Sequence, residues 1–296
     1  IGITTDIEAT IKEEGEIVVS AKLFLDIVRR LPDEIVFIVS DERMVTYIAC
    51  GKVNYQIVGM SSVEYPDLPS FEQTDRITLN AKILRDMIRQ TVYAVSENTA
   101  KPIYTGSLYE IEDGVVNIIA IDGNRMALRS KLLTDDEENT EIIIGQRHIT
   151  FKIKNYRIIS RLIEGTFIEY KSAIPKETKT EVVINTRTII DAVERMSLLN
   201  NDRIQSPVRC IFSDDEIKLS CTSAVGRAND VISVPIIGES VEIGFNNRYL
   251  LDALKNADTD EIKLLLNGSL TAMIVKPVKG DSYLSIVVPM RLANEN

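Results

Sequence analysis

The sequence predicts an α+β protein assembled from a repeated unit of one strand, one helix and three further strands. Three observations carry that reading. Four stretches align without a gap: EIVVSAKLFLDIVRRL (16–31), RITLNAKILRDMIRQT (76–91), EVVINTRTIIDAVERM (181–196) and EIGFNNRYLLDALKN (242–256). Beyond each of them the apolar pattern changes from a helical period to a period of two. A unit of one helix on a few strands buries little by itself, so two such units sharing a core make a domain.

Each aligned stretch begins as a short strand and then meets a capping residue: Ser20, Asn80, Asn185 or Asn246. A side-chain oxygen at that position accepts a free backbone N–H of the first helical turn. The helix that follows carries its apolar stripe at Phe24/Val28, Leu84/Ile88, Ile189/Val193 and Leu250/Leu254, four residues apart. Three strands then follow in alternation, clearest in EIVFIVSD, MVTYIACG and VNYQIVGM, and again in EIKLLLNG, TAMIVKPV and YLSIVVPM.

The spacing of the caps breaks once. Ser20 to Asn80 is 60 residues and Asn185 to Asn246 is 61, but Asn80 to Asn185 is 105. Another capped helix is expected near residues 145–146, after EIII, yet EIIIGQRHITFKI runs straight into the next strand. On the logic of a repeat, roughly 20 residues are missing there. The opening IGITTDIEATIKEEGEIVV likewise enters the pattern partway through a unit.

Composition excludes several classes. The 296 residues allow two or three domains, and 45% hydrophobic with 26% charged residues is ordinary for a soluble globular chain. No apolar run reaches the roughly 18 residues of a membrane span, and the start has no secretory signal. Cys50, Cys210 and Cys221 are too few for a disulfide framework, so a reducing cytoplasm and three buried thiols are expected. A net charge of −10 repels nucleic acid at long range, so a DNA-binding role needs its bases gathered on one surface.

Catalytic and cofactor motifs are scarce. One histidine, His148, alternates along a strand, which rules out a two-histidine metal site. Neither a Walker loop, nor a dinucleotide fingerprint, nor a G-x-S-x-G elbow occurs, and no cofactor is expected. The acidic run Asp135–Glu138 admits Mg²⁺ but reads more simply as a solvated loop. An enzyme with a carboxylate site there is the rival reading.

The repeated helices carry a base two positions after each cap (Lys22, Lys82, Arg187, Arg248) and an acid four further on (Asp26, Asp86, Asp191, Asp252). These are either plain i,i+4 pairs or part of a basic face. Arg29, Arg89 and Lys255 fall on the same face, and Arg30, Arg85, Arg195 and Arg203 add to it. Such a face can follow phosphates without reading sequence.

Five stretches in order and register resemble one family, the bacterial DNA polymerase III beta subunits: VEYPDLPSF (63–71), AIDGNRMAL (120–128), EGTFIEYKSAIP (164–175), IGFNNRYLLDAL (243–254) and VVPMRL (287–292). The resemblance covers the chain from end to end. It implies the DNA-clamp fold, with helices lining a ring and sheets outside. Residues 1–71 would be a first clamp domain without its first half, 72–175 a second lacking one helix, and 176–292 a complete third, with 293–296 as a tail. It further implies a head-to-tail homodimer that encircles double-stranded DNA irrespective of sequence, in the cytoplasm and on the nucleoid during replication. Lys22, Arg29, Arg30, Lys82, Arg85, Arg89, Arg187, Arg195, Arg203, Arg248 and Lys255 would face the DNA. Tyr55 and Ile57 would meet Leu198 and Leu199 of the partner.

In that family the loop matching IDGNRM borders a hydrophobic groove between the second and third domains. The polymerase III alpha subunit, clamp-loader subunits, other polymerases and repair proteins insert short peptides there. Carried over, the groove comprises Tyr104, Ile121, Gly123, Asn124, Arg125, Met126, Ile168, Ala173, Asn246, Tyr249, Leu270, Ala272 and the tail Ile286, Val287, Val288, Pro289, Met290, Arg291 and Leu292. Ile168, Asn124 and Tyr104 replace the family's usual proline, histidine and smaller aliphatic residue. Catalytic residues, cofactors and a membrane have no place in this picture, and Arg125 is expected to support or rim a docking site. A scaffold that binds peptides without encircling DNA is the remaining rival.

Overall fold

Four helices form where the repeat places them, in a computed structural model that describes residues 1–67, 75–133, 139–200 and 206–292. They are α1 (Ala21–Val28), α2 (Ala81–Val92), α3 (Thr186–Ser197) and α4 (Asn247–Lys255). All four expected residues cap. Asn80, Asn185 and Asn246 accept first-turn N–H groups at 2.9–3.1 Å, and Ser20 accepts from Leu23 at 3.5 Å. The apolar stripe is buried in α3 and α4 through Ile189, Val193, Leu250 and Leu254. In α1 the buried residue is Ile27, while Val28, expected inside, is exposed.

The chain divides into two compact units, Gly2–Gln73 and Thr74–Asn296. The smaller holds α1 and a three-stranded antiparallel sheet of Val36–Ser40, Val45–Cys50 and Val53–Val58. Its core is small, built on Ile27, Ile48 and Ile57, with Val19, Phe24 and Leu31 packed against them.

The larger unit is organised by one eight-stranded sheet. Its order is Ile236–Gly238, Thr180–Asn185, Glu261–Leu266, Met273–Pro277, Tyr283–Val287, Arg125–Leu132, Val115–Ile121 and Leu108–Glu112. A four-stranded sheet of Gly226–Ser233, Glu216–Ser223, Val208–Ser213 and Val241–Phe245 completes the C-terminal part. There α3 and α4 lie side by side, tied by Lys255 to Glu194 at 2.6 Å, over a large core that includes Phe212, Phe245, Ile217 and Leu264. Cys210 and Cys221 are free thiols within it, and burial pushes the Cys210 thiol up to about 12.

Where the repeat predicts a helix near 145–146, the chain turns. Gly145 N–H donates to His148 O at 2.9 Å, and Asn139–Ile144 pairs antiparallel with His148–Ile153. Strand register shows which position Asn139–Ile144 holds. In the C-terminal part, Thr180–Asn185 pairs with Glu261–Leu266, the strand after α4, with Asn185 opposite Glu261 and Thr180 opposite Leu266. Asp75–Asn80 pairs with Asn139–Ile144 in the same way, Asn80 opposite Asn139 and Asp75 opposite Ile144. Asn139–Ile144 therefore corresponds to a strand that follows a helix.

No helix is long and apolar enough to cross a membrane, and no cluster of metal-binding side chains occurs among the described residues.

Candidate functional site

Asp122-Gly123-Asn124 is a hairpin turn between Val115–Ile121 and Arg125–Leu132. Asp122 Oδ1 accepts the N–H groups of Asn124 at 2.8 Å and Arg125 at 3.1 Å, and Gly123 adopts φ +95°. The turn points Arg125 inward, where its side chain is only 6% exposed. A buried guanidinium must be paired, and this one is. Its Nε donates to Asp122 Oδ2 at 2.7 Å and its Nη1 to Asp252 Oδ2 of α4 at 2.5 Å. Its Cζ lies 4.5 Å from the Tyr249 ring centroid and 5.6 Å from that of Tyr93.

Around this cation a hydroxyl chain continues. Tyr93 OH lies 3.0 Å from Tyr283 OH and 2.8 Å from Ser285 Oγ, while Ser285 donates to Met126 O and Tyr283 to Ala253 O. Burial holds Tyr93 protonated, pushing its phenol up to about 12. Residues from α2, the hairpin, α4 and the last strand are thereby fixed to one another. The network backs the candidate groove.

The last strand, Tyr283–Val287, pairs antiparallel with Arg125–Leu132, setting Val287 opposite Arg125 and Ile286 opposite Met126. Val288 N–H then donates to Asn124 O at 2.9 Å, and Met290 N–H to Gly244 O at 2.8 Å. Of the expected groove residues, Ile121, Met126 and Ile286 form a buried floor with Ile119, Tyr170 and Ile274, against which Ala272 packs. Val287 is buried in the adjoining C-terminal core. Gly123, Asn124, Ile168, Ala173, Leu270, Val288 and Arg291 are exposed, and Tyr104, Tyr249, Pro289, Met290 and Leu292 are half-buried. Asn246 is also half-buried, but its Oδ1 is committed to capping α4.

A cavity of about 330 Å³ opens among Tyr104, Asn124, Arg125 and Tyr249. Its other lining residues, Val95, Ser96, Glu97, Asn98, Lys101, Asp122 and Arg248, make one end of the site polar. Nothing in the sequence pattern assigns Tyr93, Asp122, Asp252 or the 95–101 stretch to this site. An arginine entering an apolar strand was the available signal, since such a residue demands a buried acid.

The stretch that carries Ile168 and Ala173 is anchored separately. Tyr170 OH donates to Glu110 Oε2 at 2.6 Å, and Asn117 donates to the same oxygen at 3.1 Å. The Tyr170 hydrogen bond is the main reason the Glu110 carboxyl titrates below its ordinary range. This anchor holds the single turn Tyr170–Ala173 and places Ile168 just before it.

The helix bases are all exposed where described, but most have acids beside them. Arg187 and Asp191 close the i,i+4 pair at 2.8 Å. In the other helices the repeated acid turns elsewhere: Asp26 to Arg30, Asp86 to Arg85 and Arg89, and Asp252 to Arg125. Arg89 also reaches Asp258 at 2.8 Å, Arg195 pairs with Asp230, and Arg248 sits 3.8 Å from Glu97 at the mouth of the cavity. Lys22, Arg29 and Lys82 lie exposed on α1, the turn after it, and α2.

Of the residues expected between subunits, Leu198 and Tyr55 are exposed and Leu199 is half-buried. Ile57 belongs to the core of the smaller unit and is not at its surface, because it alternates onto the face that covers α1. Arg203, the acids Asp135–Glu138, the end of the 63–71 stretch and the tail 293–296 lie outside the described residues.

Models of the DNA polymerase III beta subunit match in chain order: the N-terminal domain over residues 1–69, the central domain over 129–169 and the C-terminal domain over 171–291. The chain is similar to the beta sliding clamp of Halalkalibacterium halodurans, at 31% identity over 95% of this chain and 82% of that one. The beta sliding clamp of Bacillus subtilis strain 168 gives the same identity and coverage. The crystal structure of the DNA polymerase sliding clamp from Bacillus subtilis superposes with a TM-score of 0.90 at 30% identity, covering 96% of this chain and 82% of that one. With its paired repeat units and its three domain matches in order, this chain belongs to the family of bacterial DNA polymerase III beta subunits, the sliding clamps, which serve a polymerase and catalyse nothing themselves.

Proposed function

We propose that this clamp acts as a head-to-tail homodimer closed around duplex DNA, and tethers its partners through short peptides laid in the groove beside Asn124. The partners are the polymerase III alpha subunit, clamp-loader subunits, and other polymerases and repair proteins, all in the cytoplasm. The observation that carries the reading is the sheet that continues from Leu108–Glu112 through the last strand to Thr180–Asn185. It makes one stiff surface of the buried floor (Ile121, Met126, Ile286) and the accessible rim (Asn124, Leu270, Val288). An apolar floor with a few polar groups at one end suits an extended peptide with apolar anchors, and Met290 can mould to several partners.

The exposed bases Lys22, Arg29, Arg30, Lys82, Arg85, Arg89, Arg187, Arg195 and Lys255 would face the DNA, with Arg203 and Arg248. Acids beside most of them keep the surface only mildly positive, so affinity for open DNA is weak and salt-dependent. Persistence comes from topology, since a closed ring need not grip what it encircles. A closed ring requires a heterologous contact, which we assign to Tyr55 and to Leu198 and Leu199 of the partner. We divide the chain into clamp domains at 1–71, 72–175 and 176–292. We put the strand and helix that the second domain lacks before Asn139, ahead of the 145–146 turn, a reading supported by the equivalent registers of Thr180–Asn185 with Glu261–Leu266 and Asp75–Asn80 with Asn139–Ile144.

Fluorescence anisotropy with a labelled Gln-Leu-x-Leu-Phe peptide tests the groove. Saturable binding in the micromolar range, abolished when the chain ends at Val287, is the expected result. Unchanged binding by the truncated chain would remove the tail from the site.

A further inference from the structure

Gly244 stands third in the stretch EIGFN, where the aligned stretches carry Val18, Thr78 and Val183. No turn explains the glycine, which is not among the positive-φ residues. Space explains it. A Cβ at Gly244 would lie 2.6 Å from Leu292 Cδ2, 3.0 Å from Leu292 Cγ and 3.1 Å from Met290 O. Contacts that short force something to move. Gly244 and Met290 form an isolated antiparallel bridge, with Met290 N–H on Gly244 O at 2.8 Å.

The smaller unit contains the same bridge with the bulk exchanged. Val18 pairs with Met60 through Val18 N–H to Met60 O at 3.1 Å and Met60 N–H to Val18 O at 2.8 Å. Two residues after Met60 comes Ser62; two residues after Met290 comes Leu292. One copy of the unit thus has a large strand residue and a small tail residue, and the other has the reverse.

We propose that Gly244 is a notch that seats Leu292 and thereby holds Val288–Met290 in place as a wall of the peptide groove. The inference rests on the groove reading. With Val288 N–H on Asn124 O, the tail is fastened on one side to the hairpin and on the other to the strand that leads into α4. Gly244 is a positioning residue: it acts on a peptide only through the tail. A wall that must be ordered at the moment of binding lowers affinity without loss of any direct contact.

The test uses the 296-residue protein in four versions: unchanged, Gly244→Val, Leu292→Ser, and the double variant that recreates the Val18/Ser62 combination. Two readouts are taken, hydrogen exchange at the Met290 amide and anisotropy of the labelled peptide. Gly244→Val is expected to weaken the peptide by roughly tenfold and to speed exchange at Met290 by a similar factor. Leu292→Ser unseats the tail without crowding the strand, so it moves both readouts the same way even if Gly244→Val folds poorly. The double variant should recover much of the bridge protection lost in Gly244→Val, because serine leaves room for valine. Unchanged exchange at Met290 in both single variants would overturn the proposal, as would faster exchange with undiminished peptide affinity. If the peptide binds no version, the groove reading falls, and the exchange series alone decides whether the notch seats the tail.

Discussion

The strand after α1 and the strand after α4 have the same pattern and opposite surroundings. Ile35, Phe37 and Val39 align with Ile262, Leu264 and Leu266. The first three are 76%, 58% and 61% exposed, and the second three are 0%, 2% and 1% exposed. Glu261–Leu266 is paired with Thr180–Asn185 and lies in the core that α3 and α4 share, whereas Val36–Ser40 is an outer strand of a three-stranded sheet. The alternation in EIVFIVSD therefore buries neither face of Val36–Ser40, which is exposed at every position, whereas the matching residues of Glu261–Leu266 fall on a face that the shared core covers. The same pattern can be written into a strand whose apolar face is covered and into one whose face is not.

The comparison can be broken at its aligned positions. Leu264→Ala is expected to destabilise the larger unit by about 2–5 kcal/mol, through lost burial and the cavity left behind. Phe37→Ala removes an exposed ring and should change stability by no more than about 0.5 kcal/mol. Chemical denaturation followed separately in each unit checks both. Equal losses would mean that Phe37 is covered in solution.

The ion pairs give a second contrast. Arg125→Ala strands the carboxylates of Asp122 and Asp252 and should cost about 3 kcal/mol, read from the shift in the unfolding midpoint. Arg30→Ala breaks an exposed i,i+4 pair in the smaller unit and should cost less than about 0.5 kcal/mol. A small loss at Arg125 would show that the hairpin and α4 are held by the tyrosine hydroxyls instead.

The smallest expected effect concerns pH. Glu110 is held below its ordinary value of 4.5, chiefly by the Tyr170 hydroxyl. A depressed carboxyl stabilises the fold above its unfolded pKa, and that stability is lost as pH falls through the folded value. Between about pH 5 and about pH 3 the parent protein should therefore lose more stability than Glu110→Gln does. Parallel pH profiles would remove the Tyr170 anchor from the account.

Much of this was legible in the sequence, because local chemistry sets it. The four caps, the helix starts and the Asp122 turn depend on residues within three or four positions of one another. What escaped depends on partners far along the chain. Asp252 is four residues from Arg248 but pairs with Arg125, which is 127 residues away. Val28 is expected inside because it follows Phe24 by four residues, as Ile88, Val193 and Leu254 follow their partners, yet α1 packs through Ile27 on a much smaller core. Ile57 alternates into that core, which no edge-strand resemblance could reveal. The residues of the candidate groove can be named from the sequence, but which of them are buried and which accessible needs the fold.

Retention on circular against linearised DNA tests the central claim most directly. The protein would be assembled on plasmid by an ATP-driven loader, and then followed through gel filtration at a salt concentration that removes simple electrostatic binding. The account predicts that the clamp stays with the circle and is lost once the plasmid is cut. Equal loss from both forms, or equal retention on both, would contradict it.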